Sequence, residues 1–173
     1  MTHQKTYPSL QKEFTKYCNS QKEKLNLCGL SLGGILALNY AKENPDKVKS
    51  LILIGIPYQI PKILFQIQYQ ILKITPKKVF EKLGISKKDF CQLLHSMKTI
   101  KIQEKIEQIS CPCLILCGNL DKINKKSARK LAKKIKHSTL QWIPNSSHES
   151  NMDNPMELSK LIANFWKNNN NNY

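Results

Sequence analysis

The chain has 173 residues, 40% of them hydrophobic and 23% charged, a composition that suits one ordinary globular domain and argues against a disordered chain. Its formal net charge is +16, but 27 of the 28 basic residues are Lys, Arg129 being the exception, and they are spread along the whole chain. Sites that read nucleic-acid bases favour Arg for its bidentate fork, so this charge points to non-specific adhesion to polyanions at low salt and against a specific nucleic-acid partner.

Residues Met1 to Phe14 are polar, with no apolar core of a secretory segment. Pro8 and Ser9 open a helical pattern in which Leu10, Phe14, Tyr17 and Cys18 share a face. Leu25 to Cys28 reads as a short strand, Gly29 to Gly34 as a glycine-rich turn, and Ile35 to Glu43 as a buried helix stopped by Asn44-Pro45. Ser50 to Ile56 is almost wholly apolar, as a parallel strand covered on both faces would be.

Residues 57–110 read differently. Ile60, Ile63, Leu64, Ile67, Ile71 and Leu72 recur at helical spacing, and Ser86 with Asp89 resembles a capping box ahead of Phe90, Leu93, Leu94 and Met97. This predicts a helical insertion without strands. Pro57, Pro61, Lys62 and four glutamines interrupt the apolar stretch from Leu51 to Leu72, so no membrane span and no membrane partner are expected.

Strand and helix then alternate again. Cys111 to Cys117 is a strand, Asn124 begins a helix with Ala128, Leu131, Ala132 and Ile135 on one face, and Thr139 to Ile143 is a strand. Asn154 caps a last helix with Pro155 at its first position and Leu158, Leu161, Ile162 and Phe165 as its apolar face. Residues 168–173 are an Asn-rich stretch expected to be a disordered tail. The expected fold class is α/β: a parallel sheet of about four strands with flanking helices, residues 1–56 and 111–167 forming the core and 57–110 the insertion.

The six cysteines, Cys18, Cys28, Cys91, Cys111, Cys113 and Cys117, form no C-x-x-C pair and have no His at ligand spacing, so no metal site is expected. Cys28, Cys111, Cys113 and Cys117 lie in strand-like runs, where they are expected to be small buried hydrophobes in a reducing, cytoplasmic location.

The chemistry sits in Gly29-Leu30-Ser31-Leu32-Gly33, between a strand and a helix. Gly-x-Ser-x-Gly in that setting presents a serine on a strained turn, with Gly29 and Gly33 keeping the flanks clear and the Leu32 N–H available to an oxyanion at the helix N-terminus. A phosphate loop would need Lys where Ile35 stands. A serine nucleophile needs a base, and the base an acid. Asp121 follows one strand and His148 the next, both at the sheet edge that carries Ser31. The other acids fit less well: Asp46 falls at the opposite edge and Asp153 follows the histidine. His3, His95 and His137 lie near the terminus, in the insertion and before the last strand.

With these motifs the chain resembles the second half of an α/β-hydrolase superfamily member, over about Tyr7 to Trp166, through the blocks LNLCGLSLGGILALNYAKENPDKVKSLILIG, ISCPCLILCGNLDKI and WIPNSSHESNMDNPMELSKLIANFW. The resemblance implies a partial α/β-hydrolase fold, a catalytic triad of Ser31, Asp121 and His148, residues 57–110 as a cap over the pocket, no cofactor, and a small-molecule ester as substrate. It departs from the family in having Ser147 where Gly usually precedes the histidine. It also lacks the early strands and the His-Gly loop that supplies a second oxyanion donor, which would impair turnover. Three explanations stand open: a gene fragment, which is the reading preferred, a separately encoded N-terminal half, or self-association through the open sheet edge. A non-catalytic remnant that keeps the triad residues is the alternative to an esterase.

Overall fold

The computed structural model describes residues 6–60, 72, 75–82 and 84–170. The chain divides into two compact units, Met1–Ser20 with Gln59–Lys101, and Gln21–Tyr58 with Ile102–Tyr173. This division groups the N-terminal helix with the insertion, whereas the sequence pattern grouped residues 1–56 together.

In the first unit, α1 (Tyr7–Asn19) begins at Thr6, whose hydroxyl accepts from the Ser9 N–H in a reciprocal capping box. α3 (Lys77–Lys82) and α4 (Lys87–Met97) follow. Ser86 caps α4 by accepting from the Asp89 N–H. Tyr7 N–H donates to Ser96 Oγ at 2.7 Å, tying α1 to α4, and the Phe80 and Phe90 rings meet at 5.6 Å. No strand occurs among the described residues of 57–110. The helix expected over 60–72 lies outside the described residues apart from Ile60 and Leu72. No helix among the described residues is long and apolar enough to cross a membrane.

The second unit holds a four-stranded, wholly parallel sheet in the order β1 (Leu25–Leu30), β2 (Val48–Ile54), β3 (Cys113–Gly118), β4 (Ser138–Ile143). The fold class therefore matches the expectation. Its two central strands are buried almost throughout, because helices lie on both faces. α2 (Leu32–Glu43) packs on β1 and β2, and α5 (Lys125–Lys134) on β3 and β4. After the short α6 (Ser150–Asp153), α7 (Pro155–Asn170) brings Leu158, Leu161, Ile162, Phe165 and Trp166 into one apolar cluster with Ile52, Ile54, Leu114, Leu116 and Ile143. Part of the basic charge is seated on aromatics: Arg129 and Lys125 lie 5.3 and 5.8 Å from the Trp142 ring.

Two expectations are corrected here. Cys28 is exposed, while Cys111, Cys113 and Cys117 are buried. β1 is an edge strand, so alternate residues Asn26 and Cys28 on one of its faces lack the cover that the central strands have. The last helix also runs on to Asn170, into the stretch expected as a tail, with Asn169 Nδ2 donating to the Phe165 carbonyl at 2.8 Å. Residues 171–173 lie outside the described residues.

Candidate active site

Parallel strands deliver their C-terminal ends to one edge of the sheet, and the following turns form the site there. The first turn carries Ser31 between β1 and α2. Its backbone is held at φ 51°, ψ −115°, a conformation costing of order 1–3 kcal/mol for a residue with a side chain. The Ser31 N–H donates to the Ile54 carbonyl at 2.9 Å, locking the turn to β2. Leu32 opens α2, so its N–H has no partner within the helix.

The glycines around the serine differ in what they do. A Cβ on Gly29 would collide with the Gly33–Gly34 backbone, in keeping with its place in the motif. A Cβ on Gly33 would meet nothing within 4 Å, so the expectation that both flanks are sterically excluded holds for Gly29 and fails for Gly33. Gly34 carries that constraint instead: its Cβ would strike Ile56 Cγ2 and lie 2.7 Å from the Gly29 carbonyl oxygen. Gly33→Ala is accordingly expected to keep or raise the melting temperature, because alanine is the better helix former. Gly34→Ala is expected to lower stability by about 1–3 kcal/mol through overpacking. Urea denaturation of the two variants checks this, and equal stabilities would contradict it.

The second turn follows β3 and carries Asp121, which is only 4% exposed. Its Oδ1 accepts from the backbone N–H groups of Ile123 and Asn124 at 3.2 and 3.0 Å. Its Oδ2 accepts from Asn124 Nδ2 at 2.9 Å and lies 3.2 Å from His148 Nδ1. Burial pushes this carboxyl up, but the hydrogen bonds from Asn124 and then from His148, together with the charge of the imidazole, outweigh burial and hold it below the ordinary value. Burial, and next the Asp121 carboxylate, push the nearby Cys117 thiol up to about 12, so it stays protonated and is no rival nucleophile.

The third turn follows β4 and carries His148, half-exposed, whose Nε2 lies 3.1 Å from Ser31 Oγ. The structure thus brings together Ser31, Asp121 and His148, separated by up to 117 positions in the chain. Ser147, in the place where glycine was expected, has a role of its own: its N–H and hydroxyl donate to Asp153 Oδ2 at 2.7 and 2.5 Å, which lowers the Asp153 carboxyl and closes the turn. Asp153 is therefore occupied away from the histidine. Asp46 sits in the turn before β2, at the far edge. His95 is on α4 beside Lys98. His137 lines a cavity of about 320 Å³ between β3, β4 and α7, at the start of the strands and far from Ser31. His3 lies outside the described residues.

Three residues at the site were not singled out in the sequence. Asn124 was read only as the start of a helix; it makes no side-chain cap and instead reaches the acid and the base. Gly55, at φ +58°, passes beneath the imidazole, where a Cβ would lie 3.2 Å from His148 Nδ1. A Cβ on Gly118 would collide with the carbonyls of Ser146 and Ser147. A glycine at or just past the C-terminal end of a strand is a readable sign of close approach, and Gly55 and Gly118 both fit it.

Residues 19–78 match the family model described as alpha/beta hydrolase fold. The chain is similar to a pimeloyl-[acyl-carrier protein] methyl ester esterase of Wigglesworthia glossinidia brevipalpis, at 27% identity over 87% of this chain and 72% of that protein. It is also similar to the monoacylglycerol lipase ABHD6 of Mus musculus, at 24% identity over 81% of this chain. The chain spans about half of that lipase's length, 48%. Among solved structures it is similar to a thermophilic esterase from Thermogutta terrifontis, with a TM-score of 0.80 at 19% identity, covering 95% of this chain and 73% of that one. It is likewise similar to a carboxylesterase of the ammonia-oxidizing Thaumarchaeon Nitrososphaera gargenis, with a TM-score of 0.83 at 15% identity, covering 97% of this chain and 74% of that one.

Proposed function

We propose that the chain is a serine hydrolase of the α/β-hydrolase type, cleaving carboxylic esters through an acyl-enzyme on Ser31. The observation that carries the reading is the unbroken relay from Ser31 Oγ to His148 Nε2 at 3.1 Å and from His148 Nδ1 to Asp121 Oδ2 at 3.2 Å. Both separations are within reach of proton transfer. The names of the similar proteins, a methyl ester esterase and a monoacylglycerol lipase, support an ester as the bond attacked.

The chemistry follows from the geometry. His148 Nε2 takes the Ser31 proton as Oγ adds to the ester carbonyl. The negative charge that develops on the carbonyl oxygen is met by the Leu32 N–H at the start of α2. Asp121 accepts from Nδ1–H, which leaves Nε2 free to act as base and stabilises the imidazolium that forms. The imidazolium then protonates the departing alcohol. Water, deprotonated by the same Nε2, adds to the acyl carbon; the bond to Ser31 Oγ breaks, the imidazolium returns its proton to Oγ, and the acid leaves. Each step uses side-chain and main-chain groups of this chain and water.

A fluorophosphonate probe tests the reading, because it is captured only by a serine activated in this way. The expected result is one adduct per chain, mapped to the peptide containing Ser31, together with release of p-nitrophenol from a short-chain p-nitrophenyl ester. A cooperatively folded chain that takes up no probe would be a non-catalytic remnant, and the proposal would fall.

A further inference from the structure

We propose that Asn124 is a positioning residue that controls which nitrogen of His148 carries the proton. The consequence for rate rests on the serine-hydrolase reading; the control of the proton does not. Asp121 Oδ1 is fully used by two backbone N–H groups, so Oδ2 is the carboxylate atom left for the imidazole. Asn124 Nδ2 lies 2.9 Å from that same Oδ2 and 3.2 Å from His148 Nδ1, while Nδ1 and Oδ2 are 3.2 Å apart. The three atoms make a closed triangle around one acceptor, with Asn124 buried at 6% exposure.

Two proton arrangements fit these positions. In one, Nδ1–H donates to Oδ2, and the Nε2 lone pair faces Ser31 Oγ, ready to take its proton. In the other, the proton is on Nε2 and is donated to Ser31 Oγ. Nδ1 is then an acceptor, and the amide supplies it with a hydrogen. The amide is shared between Oδ2 at 2.9 Å and Nδ1 at 3.2 Å, and the hydrogen it offers to Nδ1 favours this second, idle arrangement. The same amide hydrogen repels a protonated Nδ1–H, and its bond to Oδ2 weakens the carboxylate as an acceptor. Asn124 therefore acts on His148 in one direction only: it favours the idle tautomer of the ring.

The other groups near the pair do not offer this choice. Ser31 and Gly55, on the turns after β1 and β2, bring no charge to the ring. Lys125 and Arg129 of α5 act on Cys117, next to Asp121. Glu149 follows His148 in its own turn and is exposed.

The test compares the whole chain with Asn124→Leu, which keeps the volume and removes the amide. Nitrogen-15 spectra of the histidine rings report the tautomer whether or not the chain hydrolyses anything, and the chain has only four histidines to assign. In the unmodified chain His148 Nδ1 should show partial acceptor character; in Asn124→Leu it should become fully N–H bearing. For the p-nitrophenyl ester, kcat/KM should rise with it, because more of the neutral ring then presents an unprotonated Nε2 to Ser31. Asn124→Ser, whose hydroxyl is too short to bridge both atoms, serves if the leucine variant does not fold, and the same shifts are expected. An unchanged His148 tautomer in a folded variant overturns the proposal. Tautomer change in a chain that takes up no fluorophosphonate would instead remove the hydrolase reading and leave the role of Asn124 standing.

Discussion

Ser31→Ala is expected to lower p-nitrophenyl ester turnover by about 10⁴-fold or more and to abolish fluorophosphonate capture. The reason is local. The variant removes the one atom that His148 Nε2 faces at 3.1 Å, and leaves the Leu32 N–H and the rest of the turn in place. Residual catalysis from positioning and the oxyanion donor should therefore remain above the rate in water. The melting temperature should stay close to that of the parent chain, since alanine suffers the same strained φ of 51° and the Ser31 N–H to Ile54 bond needs no side chain. Steady-state rates and a thermal melt on the same samples check both halves. Retained turnover would move the chemistry away from this residue altogether.

Gly118→Ala is expected to be severely damaging although it changes none of Ser31, Asp121 and His148. The turns carrying Asp121 and His148 are stitched together: Asn119 N–H donates to Ile143 and Leu120 N–H to Ser146, both at 2.9 Å, and Asp121 N–H donates to Gly118 at 3.1 Å. A Cβ at position 118 would land on the Ser146 and Ser147 carbonyls, and backbone on both sides leaves no flexible side chain to give way. The two turns must part. A displacement of about 1 Å is enough to cost on the order of 10²-fold in rate, and overpacking a buried contact costs about 1–3 kcal/mol, occasionally more. Urea denaturation and kcat/KM should both fall together. Loss of stability with full activity in the folded fraction would show that the stitched turns do not set the distance between acid and base.

Much of the site was legible because it is punctuated by residue types with few other uses. Gly29-Leu30-Ser31-Leu32-Gly33 after a strand, and Asp121 and His148 each a few positions beyond an apolar run, place three reactive groups at one edge as soon as the strands are parallel. What the pattern left out are groups whose role depends on a neighbour from another turn. Asn124 looks like a helix cap in the chain, and it becomes a partner of Asp121 and His148 only when β3 and β4 are side by side. Gly33 illustrates the converse: the motif marks it as constrained, while the packing leaves room beside it and confines Gly34 instead.

The order of apolar runs and turn residues determined the strand–helix alternation, the parallel sheet and which serine, aspartate and histidine lie at one sheet edge, because hydrophobic period and turn chemistry are local properties of the chain. Tertiary structure decided the rest: that Cys28 is exposed on an edge strand, that Ser147 pairs with Asp153, and that one amide touches both acid and base. Those outcomes depend on which strand lies at the edge and on distances between turns far apart in sequence, set by how the elements pack rather than by any one segment's own preference.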